Sequence, residues 1–234
     1  MTTLALPHDV TISASLLAAD PLRIAEEVAS LNEAADWLHV DVMDFHFAEN
    51  SFGTLPMVQR LKKITNTPLE CHLMVQDALL WGPRFADAGC SRVVLHAELS
   101  SKITLSEASK KIRESGAEPI LAMLYYTDIE PYIDELAEYS TVMLITVPET
   151  GFGAQVTESG SFDKIAHLQS IIEERELPIR IAVDGGIGQH NVQQAHAAGA
   201  RQFVIGSDIF NDADREAKVQ QVRALFASNH TSAV

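Results

Sequence analysis

RVVLHAE (92–98), ITLSEASKKIRESG (103–116) and PILAMLY (119–125) follow one another along the chain, and this order decides the fold. The first and third segments are short apolar runs, which favour buried strands. The middle segment is longer, has a helical period and ends at Gly116, where the chain is expected to turn back. The three segments therefore predict a strand, a helix and a second strand parallel to the first.

The same alternation continues through the whole chain. The other predicted strands are VTISASLL (10–17), WLHVDVMD (37–44), LECHLMV (69–75), TVMLITV (141–147), IRIAVDGG (179–186) and QFVIGSDIF (202–210). The other predicted helices are residues 21–34, 55–65, 78–89, 129–139, 162–176, 191–199 and 214–228, with Gly89 and Gly199 at helix ends.

Eight strand–helix units with no linker between them predict one domain over residues 1–234, an α/β protein with a (β/α)8 TIM barrel. The competing architecture is an open doubly wound sheet, which would place a GxGxxG turn after the first strand. The chain has SASLLAAD (13–20) there, so the barrel is favoured.

The net charge of -15, from 32 acidic and 17 basic side chains, argues against binding to nucleic acid or to anionic membranes. An anionic ligand would therefore need local hydrogen-bond donors. Cys71 and Cys90 do not form a CxxC pair, and two isolated buried thiols are expected. With no secretory signal and no apolar run of membrane-spanning length, a cytoplasmic location is expected.

Four polar residues interrupt otherwise apolar strands near their carboxyl ends, where barrels of this kind have their active sites. His39 and Asp41 are two apart and share one side of their strand, His72 lies in the next strand, and Asp184 ends the seventh. Taken singly, each histidine could be a hydrogen-bonded core residue and each aspartate a helix cap. Together, two imidazoles and two carboxylates predict one divalent metal ion, Zn2+ first, with Fe2+ or Mn2+ as alternatives.

Six segments in order resemble the ribulose-phosphate 3-epimerase family. They are ISASLLAAD (12–20), LHVDVMDFHFAEN (38–50), LECHLMV (69–75), TGFGAQ (150–155), AVDGGI (182–187) and VIGSDIF (204–210). The resemblance implies that His39, Asp41, His72 and Asp184 bind the metal. It also implies that Asp41 and Asp184 are the catalytic acid/base pair, which invert a carbon beside a ketone through an enediolate.

The resemblance also assigns substrate contacts. Ser15, Met43, His72 and Met74 would line the site. The phosphate is expected where barrels commonly hold it, in the loops after the seventh and eighth strands, through backbone N–H groups of Gly185, Gly186, Gly206 and Ser207. The segment after the sixth strand would close over the phosphate with Gly151, Phe152, Gly153 and Ala154. His46 and His96 also lie near strand ends, without an assigned role.

The loops beside the expected substrate position depart from the family pattern. Phe45 replaces a glycine, Ala48 and Glu49 replace Val-Pro, Tyr125 and Tyr126 occupy the region of an Asn-Pro, and Ile145 replaces a methionine. The default reaction is D-ribulose 5-phosphate to D-xylulose 5-phosphate. A hexulose 6-phosphate such as D-allulose 6-phosphate, a non-catalytic sugar-phosphate-binding barrel and a decarboxylase on the same fold are the alternatives. The family implies a homo-oligomer.

Overall fold

A computed structural model describes residues 9–153 and 155–227 of the chain. Within these ranges the strands are β1 (Thr11–Ser15), β2 (Trp37–Asp44), β3 (Ser51–Phe52), β4 (Leu69–Met74), β5 (Arg92–His96), β6 (Glu118–Leu124), β7 (Thr141–Ile145), β8 (Arg180–Asp184) and β9 (Ala200–Ile205). The helices are α1 (Ile24–Ser30), α2 (Leu55–Ile64), α3 (Ala78–Asp87), α4 (Lys102–Glu114), α5 (Ile133–Leu136), α6 (Ser161–Glu174), α7 (Val192–Ala198), α8 (Ser207–Phe210) and α9 (Arg215–Ala227).

The sheet closes on itself. Its strand order is β1-β9-β8-β7-β6-β5-β4-β2, and β1 also pairs with β2, so the first strand joins both ends. All eight of these strands run parallel to their neighbours, with helices in the connections. The short β3 is added antiparallel to the end of β2. This closed parallel barrel confirms the predicted (β/α)8 fold class.

The predicted eighth strand, 202–210, was wrong in its second half. β9 ends at Ile205, and Ser207–Phe210 form the short helix α8 after Gly206. The predicted helix at 129–139 is shorter than expected: a 3-10 turn at Glu130–Tyr132 runs directly into the four-residue α5.

Among the described residues the hydrophobic core has two main parts, separated by the wall of the barrel, and a third small cluster of Met43, Ala48 and Met74. The larger part lies between strands and helices and includes Leu38, Val40 and Leu73. The smaller part fills the barrel interior with Val94, Ile120, Ala122, Leu124, Met143, Ile145, Val147, Ala182 and Val204. Side chains alternate between these two faces along each strand, so the polar residues that share the inward face of β2 and β4 meet inside the barrel.

The expectation of two isolated thiols was wrong. Cys71 on β4 and Cys90, just before β5, form a disulfide with their Cα atoms 6.3 Å apart. Cys71 points outward from β4, and the chain returns beside it after α3. The 19-residue separation spans a strand, a helix and a turn, so a local pattern gave no sign of this contact.

No helix in the described part of the chain is both long and apolar enough to cross a membrane.

Candidate active site

The four residues predicted as metal ligands converge at the carboxyl end of the barrel. His39 and Asp41 come from β2, His72 from β4 and Asp184 from β8. One ligand atom from each lies within 4.8 Å of the others. The two histidines are almost fully buried, Asp41 is 4% exposed, and Asp184 is open to the cleft above them.

The distances between these ligand atoms fit a tetrahedral cation site. His39 Nε2 lies 3.3 Å from His72 Nδ1, 3.4 Å from Asp41 Oδ1 and 3.5 Å from Asp184 Oδ2. His72 Nδ1 lies 3.3 Å from each of the same two carboxylate oxygens. Ligands about 2.0 to 2.1 Å from a tetrahedral Zn2+ are themselves about 3.3 to 3.4 Å apart. The donor set and its spacing therefore suit one divalent ion.

A buried carboxylate supports His39 from below. His39 Nδ1 lies 2.9 Å from Oε1 of Glu70, which is fully buried inside the barrel. Gln202 Nε2 donates to Glu70 Oε2 at 2.9 Å, and Arg92 Nη1 donates to Gln202 Oε1 at 3.0 Å. A proton on Nδ1 donated to Glu70 leaves Nε2 of His39 unprotonated toward the cation position.

Ser15 holds the outer oxygen of Asp41. Its hydroxyl donates to Asp41 Oδ2 at 3.1 Å, while Oδ1 of the same carboxylate faces the two imidazoles. The serine ends β1, which pairs with β2 at the level of His39. The two oxygens of Asp41 thus have separate partners, one toward the cation position and one toward the cleft wall.

The site attracts positive charge. Burial disfavours a charged His39, but Asp41 outweighs it and raises the pKa of His39 well above its ordinary value. Burial likewise opposes a charged His72, yet hydrogen bonds to Asp184 and Asp41 raise the pKa of this imidazole. Burial alone would raise the pKa of Asp41, but the two imidazoles lower it. A buried group of two carboxylates and two imidazoles needs a proton or a cation for balance.

A cleft opens directly above the four ligands. Most of the predicted substrate contacts line it, namely Ser15, His72, Met74, Gly151, Phe152, Gly153, Gly185, Gly186, Gly206 and Ser207. Asp41 and Asp184 also face the cleft. The structure therefore brings the predicted acid/base residues and most predicted substrate contacts together in one place.

One predicted contact, Met43, lies behind the cleft wall. Met43 is not among the cleft-lining residues; it packs beneath Gly151 and in a small cluster with Met74 and Ala48, so it supports the wall instead of forming it. Ala154 lies outside the described residues. His46, near the end of β2, is exposed and hydrogen-bonds to Asp44, away from the ligands.

One wall of the cleft is formed by glycine-containing turns, where backbone atoms are exposed to the cleft. Gly185 and Gly186 have φ of +111° and +64°, and a Cβ at Gly186 would lie 2.6 Å from the backbone nitrogen of Thr157. Among the described residues that line the cleft, none is a lysine or an arginine. An anion in this cleft would therefore be held mainly by backbone N–H and hydroxyl groups.

The altered loops stand beside this cleft. Phe45 has φ of +68°, the left-handed conformation that suits the glycine it replaces, and the residue is 66% exposed. A second cavity adjoins the first and shares Thr150 and Phe152 with it. Its other lining residues are Phe47, Ala48, Glu49, Leu124, Tyr126, Pro148 and Glu149. Three of the departures, Ala48, Glu49 and Tyr126, thus lie together in this second cavity.

Several supporting residues were missed in the sequence. Glu70 carried a usable signal, because it is two residues before His72 and so shares the inward face of β4. Thr146, whose backbone N–H and hydroxyl donate to the Asp184 carbonyl at 2.7 and 2.9 Å, carried none. Gly53 also carried none; it has φ of +55° and lies against the backbone of Asp41. Both positions depend on contacts between distant segments.

Comparison with known proteins agrees with the motifs. Residues 11–210 match the profile of the "Ribulose-phosphate 3 epimerase family". The chain is 38% identical over 223 residues to the ribulose-phosphate 3-epimerase of Mycobacterium tuberculosis, covering 94% of this chain and 96% of the relative. It is 34% identical over 222 residues to that of Escherichia coli K12, covering 92% and 96%. These likenesses confirm the predicted resemblance and, with it, the prediction of an isomerase.

Among solved structures, the fold is similar to that of 3-keto-L-gulonate-6-phosphate decarboxylase from Vibrio cholerae. The TM-score is 0.73 at 13% sequence identity, with 94% of this chain and 98% of the other covered. At this identity the likeness concerns the barrel alone.

Proposed function

The chain belongs to the ribulose-phosphate 3-epimerase family, and from this premise and the site geometry we propose that it is a metal-dependent 3-epimerase of a ketose phosphate. Its default reaction is the interconversion of D-ribulose 5-phosphate and D-xylulose 5-phosphate. The observation that carries the proposal is the convergence of two imidazoles and two carboxylates at tetrahedral spacing beneath an open cleft. A protein that only binds sugar phosphates would have little use for both carboxylates.

His39, Asp41, His72 and Asp184 would hold the divalent ion, with Zn2+ first and Fe2+ or Mn2+ as alternatives. A cation in this position supplies Lewis-acid stabilisation of negative charge on neighbouring substrate oxygens. Glu70 orients His39 for this task by accepting its Nδ1 proton. Ser15 keeps one oxygen of Asp41 turned away from the cation position.

Asp41 and Asp184 would move the proton. The C3 carbon lies beside the C2 ketone, so removal of its proton leaves an enediolate, and inversion requires a proton to return on the opposite face. Asp41 comes from β2 and Asp184 from β8, with β1 and β9 between these strands. The two carboxylates therefore approach a substrate from different sides of the barrel mouth, one taking the proton and the other returning one.

The phosphate would lie against the turns that carry Gly185, Gly186, Gly206 and Ser207. Their glycines let backbone N–H groups come close to an anion, which offsets the acidic charge of the protein as a whole. Gly151, Phe152 and Gly153 form the facing edge of the cleft and would cover the bound substrate. The homo-oligomer is proposed from the family alone, and the cytoplasmic location remains the expectation drawn from the sequence.

Exchange of the C3 proton with D2O tests the reaction. Metal-reconstituted protein should wash deuterium into C3 of D-ribulose 5-phosphate while D-xylulose 5-phosphate appears. Asp184→Asn should slow both by about 10²- to 10⁴-fold, the usual share of a general acid or base. Asp87→Asn, which makes the same chemical change at an exposed position on α3, should leave them unchanged.

Metal content must be measured in every sample, because Asp184 is also a proposed ligand. Loss of exchange in Asp184→Asn at full metal occupancy would support the acid/base role. Full metal occupancy in the wild type with substrate bound but no exchange would instead point to the non-catalytic barrel.

The hexulose 6-phosphate alternative has one structural observation in its favour. The second cavity beside the cleft is lined by residues that depart from the family pattern, including Ala48, Glu49 and Tyr126. Changed walls can change which ketose fits. A kcat/KM for D-allulose 6-phosphate above that for D-ribulose 5-phosphate would replace the default substrate with this one.

A further inference from the structure

His72 has a second partner that the reaction outlined above does not use. Its Nδ1 faces the carboxylates of the metal site, while its Nε2 lies 2.8 Å from Nε2 of His96 on β5. The ring planes are inclined by only 18° and the centroids are 4.9 Å apart, so the rings meet edge to edge, as a hydrogen bond between the two Nε2 atoms requires. His96 is 1% exposed, so no bulk water competes for this contact.

The contact continues to a carboxylate. His96 Nδ1 lies 2.9 Å from Glu98 Oε2. The other oxygen of Glu98, Oε1, accepts the backbone N–H of Leu124 at 2.8 Å and the hydroxyl of Thr127. Both oxygens of Glu98 therefore act as acceptors, and the loop after β6 fixes where the carboxylate stands.

We propose that Glu98 is a positioning residue which, through His96, holds His72 in the tautomer that can bind a metal. This inference rests on the proposed metal centre. It adds two residues, Glu98 and His96, to the machinery that prepares that centre.

The proton arrangement follows from the contacts. Glu98 can only accept at this distance, so His96 carries its proton on Nδ1 and presents a lone pair on Nε2. His72 must then place its own proton on Nε2 to donate to that lone pair. Its Nδ1 is left unprotonated and directed at the cation position.

Without the carboxylate of Glu98, the tautomers of His96 and His72 are no longer fixed. His96 could then carry its proton on Nε2, where it would confront the Nε2 proton of His72. His72 would avoid two facing N–H groups by carrying its proton on Nδ1 instead, but Nδ1 is the atom that must be unprotonated to bind the metal. Loss of Glu98 should therefore weaken metal binding even though Glu98 does not touch the ligand atoms.

His39 is held by the same principle with one link fewer, since its Nδ1 meets Glu70 directly. Each imidazole of the centre thus has its distal nitrogen assigned by a buried or half-buried carboxylate. The difference is that Glu98, unlike Glu70, also accepts hydrogen bonds from Leu124 and Thr127, which flank Tyr125 and Tyr126 in the loop after β6.

The test is Zn2+ affinity, measured by competition with a chromophoric chelator, together with the visible absorption of Co2+-substituted protein. Glu98→Leu and His96→Phe should each weaken Zn2+ binding by about 10- to 100-fold, as expected for an outer partner of a ligand histidine. Glu98→Gln keeps one acceptor oxygen and should lose less. Thr127→Val removes a donor to Glu98 on the loop side only, so it should change affinity by less than about 3-fold.

The double variant separates positioning from packing. If Glu98 acts through His96, Glu98→Leu adds no further loss of affinity in a His96→Phe background, and the Co2+ spectrum changes in the same way in all three proteins. Unfolding of the metal-free proteins by urea records any purely structural effect. Reduced stability with unchanged Zn2+ affinity and an unchanged Co2+ spectrum would overturn the inference while leaving the metal centre intact. Absence of Zn2+ binding by the wild type would overturn both.

Discussion

Gly53 offers the most direct test of how the chain positions Asp41. It lies between β3 and α2 with φ of +55°, and an added Cβ would overlap the backbone carbonyl oxygen of Asp41. The same Cβ would lie 3.0 Å from Val42 Cγ2 and 3.1 Å from the carbonyl carbon of Asp41. Because the obstacle is backbone, a rotamer change cannot relieve it. Gly53→Ala should therefore displace the end of β2.

Gly116→Ala is the matched control. Gly116 has φ of +86°, yet in the described part of the chain no heavy atom beyond its own residue and its two chain neighbours lies within 4 Å of the position that its Cβ would take. Both alanines would carry the left-handed penalty of about 1 to 2 kcal/mol. Only Gly53→Ala adds the overlap, which costs about 1 to 3 kcal/mol more.

Urea denaturation of the metal-free proteins should show this difference. Gly53→Ala is expected to lose about 2 to 5 kcal/mol of unfolding free energy, and Gly116→Ala about 1 to 2 kcal/mol. Misplacement of Asp41 by about 1 Å would in addition slow C3 proton exchange on the order of 10²-fold. Equal stability losses in the two variants, with exchange unchanged in Gly53→Ala, would refute the reasoning.

Three further predictions follow from other parts of the structure. Burial opposes the charge of Glu98, but hydrogen bonds from His96 and Thr127 lower its pKa from 4.5 to about 2. The stability that the ionised carboxylate contributes is therefore present above pH 4.5 and is lost as the pH falls toward 2. Glu98→Gln should accordingly lose less stability than the wild type between pH 5 and pH 3 in urea titrations, and equal slopes would contradict this. Phe45→Gly should stabilise the protein by about 0.5 to 1 kcal/mol, because relief of the left-handed strain exceeds the entropy that glycine adds to the unfolded chain. A lower thermal midpoint would contradict this and show that the exposed side chain of Phe45 contributes net stability. Without reductant, the denatured protein should show no free thiols, and reduction of Cys71–Cys90 should cost about 3 kcal/mol of stability; two thiols detected at the outset would contradict the disulfide.

Much of the fold was predictable because the signal is local. A run such as WLHVDVMD (37–44) shows its strand through composition and its inward face through the two-residue spacing of His39 and Asp41. The predicted bounds of this strand agree with β2. At Gly206 the prediction extended the last strand too far, because the chain turns there from β9 into α8.

The candidate site was predictable for the same reason. His72 and Asp184 stand out because charged or polar groups in an apolar strand must have a partner. Glu70 shows the limit of that rule: it stands in the same strand as His72 and faces the same way, but nothing local says that its partner is His39.

The sequence alone therefore determined the kind and order of the elements, the fold class and the four polar side chains, His39, Asp41, His72 and Asp184, that interrupt apolar strands. Only the tertiary structure decided the distances between them, the disulfide, the contact of Gly53 with Asp41 and the chain of contacts from His72 to Glu98. The physical reason is closure. β1 pairs with both β9 and β2, and the level at which Asp184 meets Asp41 is the sum of all the strand registers around the barrel. That sum depends on contacts between distant segments, which no local pattern contains.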